Sequence, residues 1–224
     1  MLEHRNTTAT VRAVLKAAED AGVNADQLLR EAGIDSAVAH DPDGEVTLHT
    51  MKTFWETAYK MSGDPYLALN AGVSAAHGSY KTIDYLLLSA TTLGEGLGSF
   101  IKHLRLINTW LNYQVEEDDS GFHLVLRSQI GPVPFPAVEV TFAILVERCR
   151  KMHGNDWSPL RVDFLHVPSG EPGFYRGYFR CPVNFSQETA RLSINREEWN
   201  RSLPSGNEGL FRVLVDHAAL LSAD

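Results

Sequence analysis

Hydrophobic positions recur at helical spacing through the first hundred residues. Val11, Val14, Leu15, Ala18 and Ala21 form one stripe over residues 8–22, and Gly22 supplies the backbone freedom that ends a helix. Asn24 followed by Gln27 is a capping-box pair ahead of Leu28 and Leu29, with Gly33 closing a short second helix. After a DPDG loop, Thr47 caps a longer helix. Its buried stripe is Leu48, Met51, Trp55 and Ala58, with Tyr59 beside it, and Gly63 stops it before Asp64-Pro65 opens another short helix. From Tyr80, the runs IDYLLLSA and LGEGLGSFIKHLRLI predict two further helices, with a capping box at Thr92 and Glu95 between them.

After Asn108 the period changes from three and four to two. Leu111, Tyr113 and Val115 alternate with polar residues, the acidic turn EDDSG follows, and Phe122, Leu124 and Leu126 alternate again, which predicts a hairpin. Pro132, Pro134 and Pro136 break the chain before a helix at 137–153, whose stripe is Val138, Phe142, Leu145, Cys149 and Met152. LRVDFLHV and ARLSI predict a third and a fourth strand, separated by the aromatic segment FYRGYF. Asn195 and Glu198 cap a short helical turn, and residues 208–221 carry Leu210, Val213, Leu214, His217 and Leu221 near heptad spacing. The pattern predicts an α+β protein of one domain over 1–224. Residues 1–108 are mainly helical, 109–206 hold an antiparallel sheet of about four strands covered by helices, and 207–224 form a C-terminal helix.

Charge narrows the function. Twenty Lys and Arg against 28 Asp and Glu leave a net charge of -8. The deficit is spread evenly along the chain, so no basic arm is available to neutralise phosphates, and the chain by itself is expected not to bind DNA. Two cysteines, Cys149 and Cys181, suit a reducing compartment better than a disulfide framework. The amino end lacks the apolar core of a signal peptide and no 18-residue apolar run occurs, so a cytoplasmic protein that does not span a membrane is expected.

The search for chemistry gives candidates rather than a motif. The nine histidines are scattered without an H-x-x-x-H pair, the cysteines lack a C-x-x-C spacing, and there is no Walker loop, G-x-S-x-G elbow or dinucleotide fingerprint. No metal and no cofactor are expected. If Leu111, Tyr113, Phe122, Leu124, Val162 and Phe164 face the helices, the opposite sheet face carries Trp110, Asn112, Gln114, His123, Arg127, Arg161, Asp163 and Arg191. That face reads first as a solvated surface with cross-strand ion pairs. The alternative is a small-molecule pocket with aromatic walls and a few polar groups, for which the candidates are Tyr80, Lys81, Tyr85, Trp110, Tyr113, Arg127, Glu139, His166 and Tyr175. Glu139 also stands in the first turn of its helix, where an acid commonly complements the macrodipole.

Several stretches taken together resemble a known family. The order LLREAGI, HDPDG, GDPYLALNAG and GSYKTIDYLLLSATTLGEGLGSFIKHLRLIN, then VDFLHVPSGEPGFYRGYFRCPVNFSQETARLSINREEWNRSLP, is similar to the amino-terminal effector domain of AraC-family transcription regulators of the ornithine-utilisation and VirS-like group. The resemblance covers residues 10–222. The matching positions are Leu29, Gly33, Asp41, Pro42, Asp64, Pro65, Thr92, Leu93, His166, Tyr175, Phe179, Pro182, Val183, Phe185 and Leu203. The chain departs from the pattern at Ser79-Tyr80-Lys81-Thr82, where the family has a small, glycine-rich stretch, and at Cys181, a place commonly held by glycine.

The resemblance implies a ligand-sensing and self-association domain, a homodimer that takes a small-molecule effector and performs no catalysis. DNA contact would be made only through a helix-turn-helix half that this sequence does not contain. Residues 208–221 are then the candidate for dimer contact or signal transfer, against the plainer expectation that a short helix folds back on its own domain. The competing class is a small-molecule enzyme using Glu139 or His166 as acid or base, for which the sequence offers no nucleophile or orienting partner.

Overall fold

The computed structural model describes residues 3–128, 131 and 133–222. The amino-terminal half is helical, with two additions that the periodicity does not announce, a two-stranded ribbon and a five-residue helix. Strand β1 (Arg5–Thr7) pairs antiparallel with β2 (Glu45–Thr47), a two-stranded ribbon too short to carry an alternation. Helix α1 (Thr8–Asp20) follows β1, then α2 (Ala25–Ala32), the five-residue α3 (Ser36–His40) and, after β2, α4 (Leu48–Ser62). The expected caps are in place. Asn24 accepts from the Gln27 amide at 2.8 Å and Thr47 from Thr50 at 3.1 Å, while Gly33 and Gly63 close their helices in the left-handed region. Helix α5 (Leu67–Ser74), α6 (Thr82–Ser89) and α7 (Leu93–Lys102) complete this half, with a 3₁₀ turn at Leu104–Leu106.

The second half is built on a five-stranded sheet. Strands β3 (Leu111–Asp118) and β4 (Gly121–Ser128) form the expected hairpin, and α8 (Phe135–His153) follows. Pro134 is the N-cap of α8 and Pro136 lies in its first turn, where a missing N–H costs nothing; Pro132 lies outside the described residues. Then come β5 (Arg161–Asp163), α9 (Pro172–Phe179), β6 (Val183–Asn184), β7 (Arg191–Ile194), α10 (Arg196–Asn200) and α11 (Glu208–Leu221). The sheet order is β3-β4-β7-β5-β6, antiparallel except for β5 against β6.

This is an α+β fold. The fifth strand, β6, is two residues long, and the aromatic segment expected between strands is the helix α9. The third strand is shorter than LRVDFLHV suggests. Beyond Asp163 the backbone leaves the ladder, with Phe164 bonding to Asn184 at 2.8 Å and His166 accepting from Ser186 at 3.0 Å.

One continuous apolar cluster runs from Ala9 through Phe142 and Leu192 to Ala218. The helices meet closely where a side chain is missing: a Cβ on Gly72 of α5 would lie 2.3 Å from that of Ala143 on α8. Leu111, Tyr113, Leu124, Leu126, Val162 and Leu192 face this cluster. The other sheet face carries ion pairs, as the alternation predicts, but it is not solvated throughout: His123, bonded to Ser193, is buried there, as is Val125. Glu116 meets Arg127 at 3.0 Å and Arg191 at 3.7 Å, and Arg161 meets Asp163 at 3.0 Å. Trp110 departs from that assignment. It precedes the first residue of β3, so the alternation does not govern it, and it turns inward to 2% exposure.

Candidate functional site

Two helices present matching stripes to one another across an apolar cavity of about 60 Å³. From α4 come Leu48, Met51, Lys52 and Trp55; from α8 come Ala137, Val140, Thr141 and Ile144. Each set follows the i, i+3, i+4, i+7 spacing that lays one face of a helix along a surface. Phe100 of α7, Leu104, Ile107 and Trp110 close the cavity from the side, and β1 contributes Asn6.

The polar groups at this cavity are few and mostly committed. The Trp110 indole donates to Asn6 Oδ1 at 3.0 Å, Asn108 Oδ1 accepts from the Leu111 amide at 2.8 Å, and the Thr141 hydroxyl donates back to the Ala137 carbonyl at 2.7 Å. The Tyr80 hydroxyl shares a 3.3 Å hydrogen bond with Thr10, and burial pushes its phenol pKa up, which keeps it neutral. Asn6 is 7% exposed and its Nδ2 has no hydrogen-bond partner. Lys52 makes no ion pair among the described residues.

Tyr80 and Ile107 stand between this cavity and a second, more polar one of about 290 Å³. The second cavity is lined by Asp43, Ser79, Lys81 and Thr82, and by Leu221 at the end of α11. Tyr80 sits at the end of a loop fixed from below by a buried ion pair. Arg148 of α8 grips both carboxylate oxygens of Asp84, at 2.9 and 3.1 Å, and donates to the carbonyls of Ala75 and Ala76. Asp84 in turn accepts from the amides of Gly78 and Tyr80. The loop leads into α6 through Lys81, whose φ of 50° and ψ of -124° belong to a region that glycine occupies more easily. The Lys81 ammonium pairs with Asp43 across the second cavity.

The sequence-derived candidates divide among four places. Tyr80 and Trp110 line the apolar cavity, and Tyr80 and Lys81 the polar one. Tyr85 is 54% exposed on α6, and Tyr113 is buried beneath the sheet with its phenol pKa pushed up by burial. Arg127 lies on the outer sheet face with Glu116. Glu139, His166 and Tyr175 come together elsewhere: Glu139 Oε1 lies 2.8 Å from His166 Nε2 and accepts from the Tyr175 hydroxyl at 2.9 Å. Glu139 is fully buried, on the side of α8 turned away from the residues that line the cavity. Its Oε2 and His166 Nδ1 have no partner. The cysteines are poor nucleophiles here; burial pushes the Cys181 thiol up to about 11 and Cys149 further. Among the described residues no group of three or more His, Cys, Asp or Glu side chains is placed to hold a metal ion.

Sequence reasoning missed Asn6, Lys52, Thr141 and the Asp84–Arg148 pair. Two signals were present. Lys52 interrupts the apolar stripe of α4 at i+4 from Leu48, Asp84 is the lone charge inside the apolar run TIDYLLLS, and Arg148 follows closely on the apolar run FAILV. Asn6 gives no local signal, because its three-residue strand pairs with residues 40 positions on.

The family model for the arabinose-binding domain of AraC transcription regulator, N-term, matches residues 22–203. The chain belongs to that family, and with it to the regulatory domains of transcription regulators. Among solved structures, the transcriptional regulator CdpR from Pseudomonas aeruginosa is similar in fold, with a TM-score of 0.61 at 16% sequence identity. The match covers 86% of this chain and 64% of CdpR, so the chain spans less than two thirds of that regulator's length. No curated protein matches it in sequence. Among the described residues no helix is long and apolar enough to cross a membrane.

Proposed function

We propose that this chain is the effector-sensing domain of an AraC-type regulator and that the effector occupies the apolar cavity between α4 and α8. The observation that carries this reading is the cavity's wall: Tyr80 separates it from a second cavity that the C-terminal helix helps to line. At about 60 Å³ the empty cavity is smaller than the engineered ones that admit benzene, so an effector has to displace part of the wall. The Tyr80 ring is held by one 3.3 Å hydrogen bond from its hydroxyl and is followed by the strained Lys81, while its backbone amide stays fixed on Asp84, so the ring is the part of this wall that turns aside without releasing the loop.

Movement of Tyr80 is passed to α6, which follows it directly. Helix α11 leans on α6: Asn207 donates to Ser89 O at 2.9 Å and Ser205 to Leu88 O at 3.0 Å, while Phe211 and Ala218 are buried. The opposite side of α11 leaves Leu210 at 49%, Val213 at 64% and Leu220 at 71% exposure. Occupancy therefore shifts the balance between two placements of α11 without chemical turnover. The exposed stripe of α11 is the surface through which a homodimer, or DNA-binding modules outside this sequence, would feel the change. The setting is the cytoplasm. Glu139 and His166 act in this reading as a structural pair and not as acid and base.

A thermal-shift screen of small metabolites, read together with tryptophan emission from Trp55 and Trp110, tests the proposal. A compound at 100 times its dissociation constant adds about 2.7 kcal/mol of stability. It should also alter the emission and change hydrogen exchange in α6 and α11. If no compound moves the midpoint, the sensing reading fails.

A further inference from the structure

Among the described residues lining the apolar cavity, the one charged group and the one buried polar atom without a partner are both donors. The other polar groups already bond within the protein: Asn6 Oδ1 accepts from the Trp110 indole, Asn108 Oδ1 from the Leu111 amide, and the hydroxyls of Thr10, Tyr80 and Thr141 are each engaged once. What remains is a pair of donors, the unpartnered Nδ2 of Asn6 and the unpaired ammonium of Lys52. Among the described lining residues Lys52 is the one charged side chain, and no carboxylate is present. The other walls are aromatic or aliphatic. An ammonium group would find no counter-ion here, and a sugar would leave most of its hydroxyls facing carbon, a loss of hydrogen bonds that binding sites do not tolerate. A carboxylate suits what is free, because it accepts only and carries the charge that Lys52 lacks.

We infer that the ligand of this cavity is a compact apolar monocarboxylate. Its hydrocarbon body lies between Trp55, Phe100 and Trp110, and its carboxylate is met by Lys52 and the Asn6 amide. This rests on the cavity being the effector site. It goes further by fixing the ligand's charge and excluding polyols, amines and zwitterions, even though the family takes its name from a sugar. Lys52 is exposed and belongs to the same α4 stripe as Leu48, Met51 and Trp55, so its stem runs along the apolar wall with its charge at the mouth.

The experiment is a calorimetric titration of the 224-residue chain with benzoate, hexanoate, benzamide, benzylamine and L-arabinose, followed by tryptophan emission. A Lys52→Met variant is run in parallel. Expected is binding of benzoate or hexanoate, with benzamide and benzylamine roughly tenfold weaker or undetectable, and a loss of roughly three- to tenfold in carboxylate affinity in Lys52→Met. The variant's unfolding midpoint should be unchanged, since the side chain is exposed. The ratio of benzoate to hexanoate affinity tells an aromatic ligand from an alkyl one. Tighter binding of benzylamine or arabinose than of either carboxylate, or unchanged benzoate affinity in Lys52→Met, overturns the carboxylate class while leaving the cavity as the site. Silence from all five probes, where an unrelated metabolite still shifts both the midpoint and the emission, also overturns the class alone. Silence from every compound tested removes the site as well.

Discussion

Of the buried charged residues on helix α8, Arg148 and Glu139 sit in clusters that are finished to different degrees. Around Arg148 the accounts balance: the guanidinium serves both oxygens of Asp84 and two backbone carbonyls, and Asp84 serves two amides. Around Glu139 they do not, since one oxygen takes both the Tyr175 and His166 contacts while the other, like His166 Nδ1, has none. A saturated cluster in a low-dielectric interior fixes the chain in one geometry, and this one fixes the loop that positions Tyr80. A half-satisfied cluster still joins α8 to the segment between β5 and α9, but it holds that segment less tightly. The comparison assigns rigidity to the Arg148 side of the molecule and slack to the Glu139 side.

Removing one member of each cluster breaks the comparison most directly. Arg148→Met strands the Asp84 carboxylate at 1% side-chain exposure and should cost about 3–5 kcal/mol in urea unfolding, with effector binding lost as Tyr80 is released. Glu139→Gln keeps an oxygen acceptor for Tyr175 and disturbs a cluster already short of partners, so about 1–3 kcal/mol is expected. A larger loss for Glu139→Gln than for Arg148→Met would reverse the assignment of rigidity.

The C-terminal end of α8 offers a smaller, pH-dependent test. His153 has a buried side chain, and burial holds its imidazole pKa below the ordinary value, as it does for His77 and His103. These groups take up protons less readily when folded than when unfolded. Their contribution is therefore present above an ordinary imidazole pKa of about 6.5 and is lost as the pH falls below it. The urea midpoint should drop between pH 7.5 and 5.5, and His153→Phe should reduce the slope; a midpoint that rises on acidification contradicts the sign. Smallest of all is the exposed face of the sheet. Glu116→Ala removes partners from Arg127 and Arg191 and should change stability by about 1 kcal/mol or less, fading further in salt.

Local pattern carried most of the elements and little of the site. The α4 stripe, the β3–β4 hairpin and the caps at Asn24, Thr47, Thr92 and Asn195 are statements about neighbours within four residues, and the structure has them. The ribbon of β1 and β2 was invisible because three residues cannot show a period. The cavity was hidden for a different reason. Its walls come from β1, α4, the end of the α5–α6 loop, α7 and α8, brought together by packing that no window of sequence contains. Trp110 and Tyr80 are conspicuous as large aromatics, whereas Lys52, though it interrupts a stripe, is not set apart in the sequence from an ordinary exposed lysine. Glu139 and His166 are candidates by residue type, and the structure puts them together in a cluster turned away from the cavity.

The sheet order leaves β3 as an outer strand eight residues long, the kind of margin onto which a neighbouring molecule's strand can add. Its distal half reads Glu116-Glu117-Asp118, charged side chains that already pair with Arg127, Arg191, Arg196 and His123 of their own chain. Ion-paired, hydrated side chains along an edge would have to be stripped of water and partners before another strand could add there, which makes this margin an unfavourable one to extend.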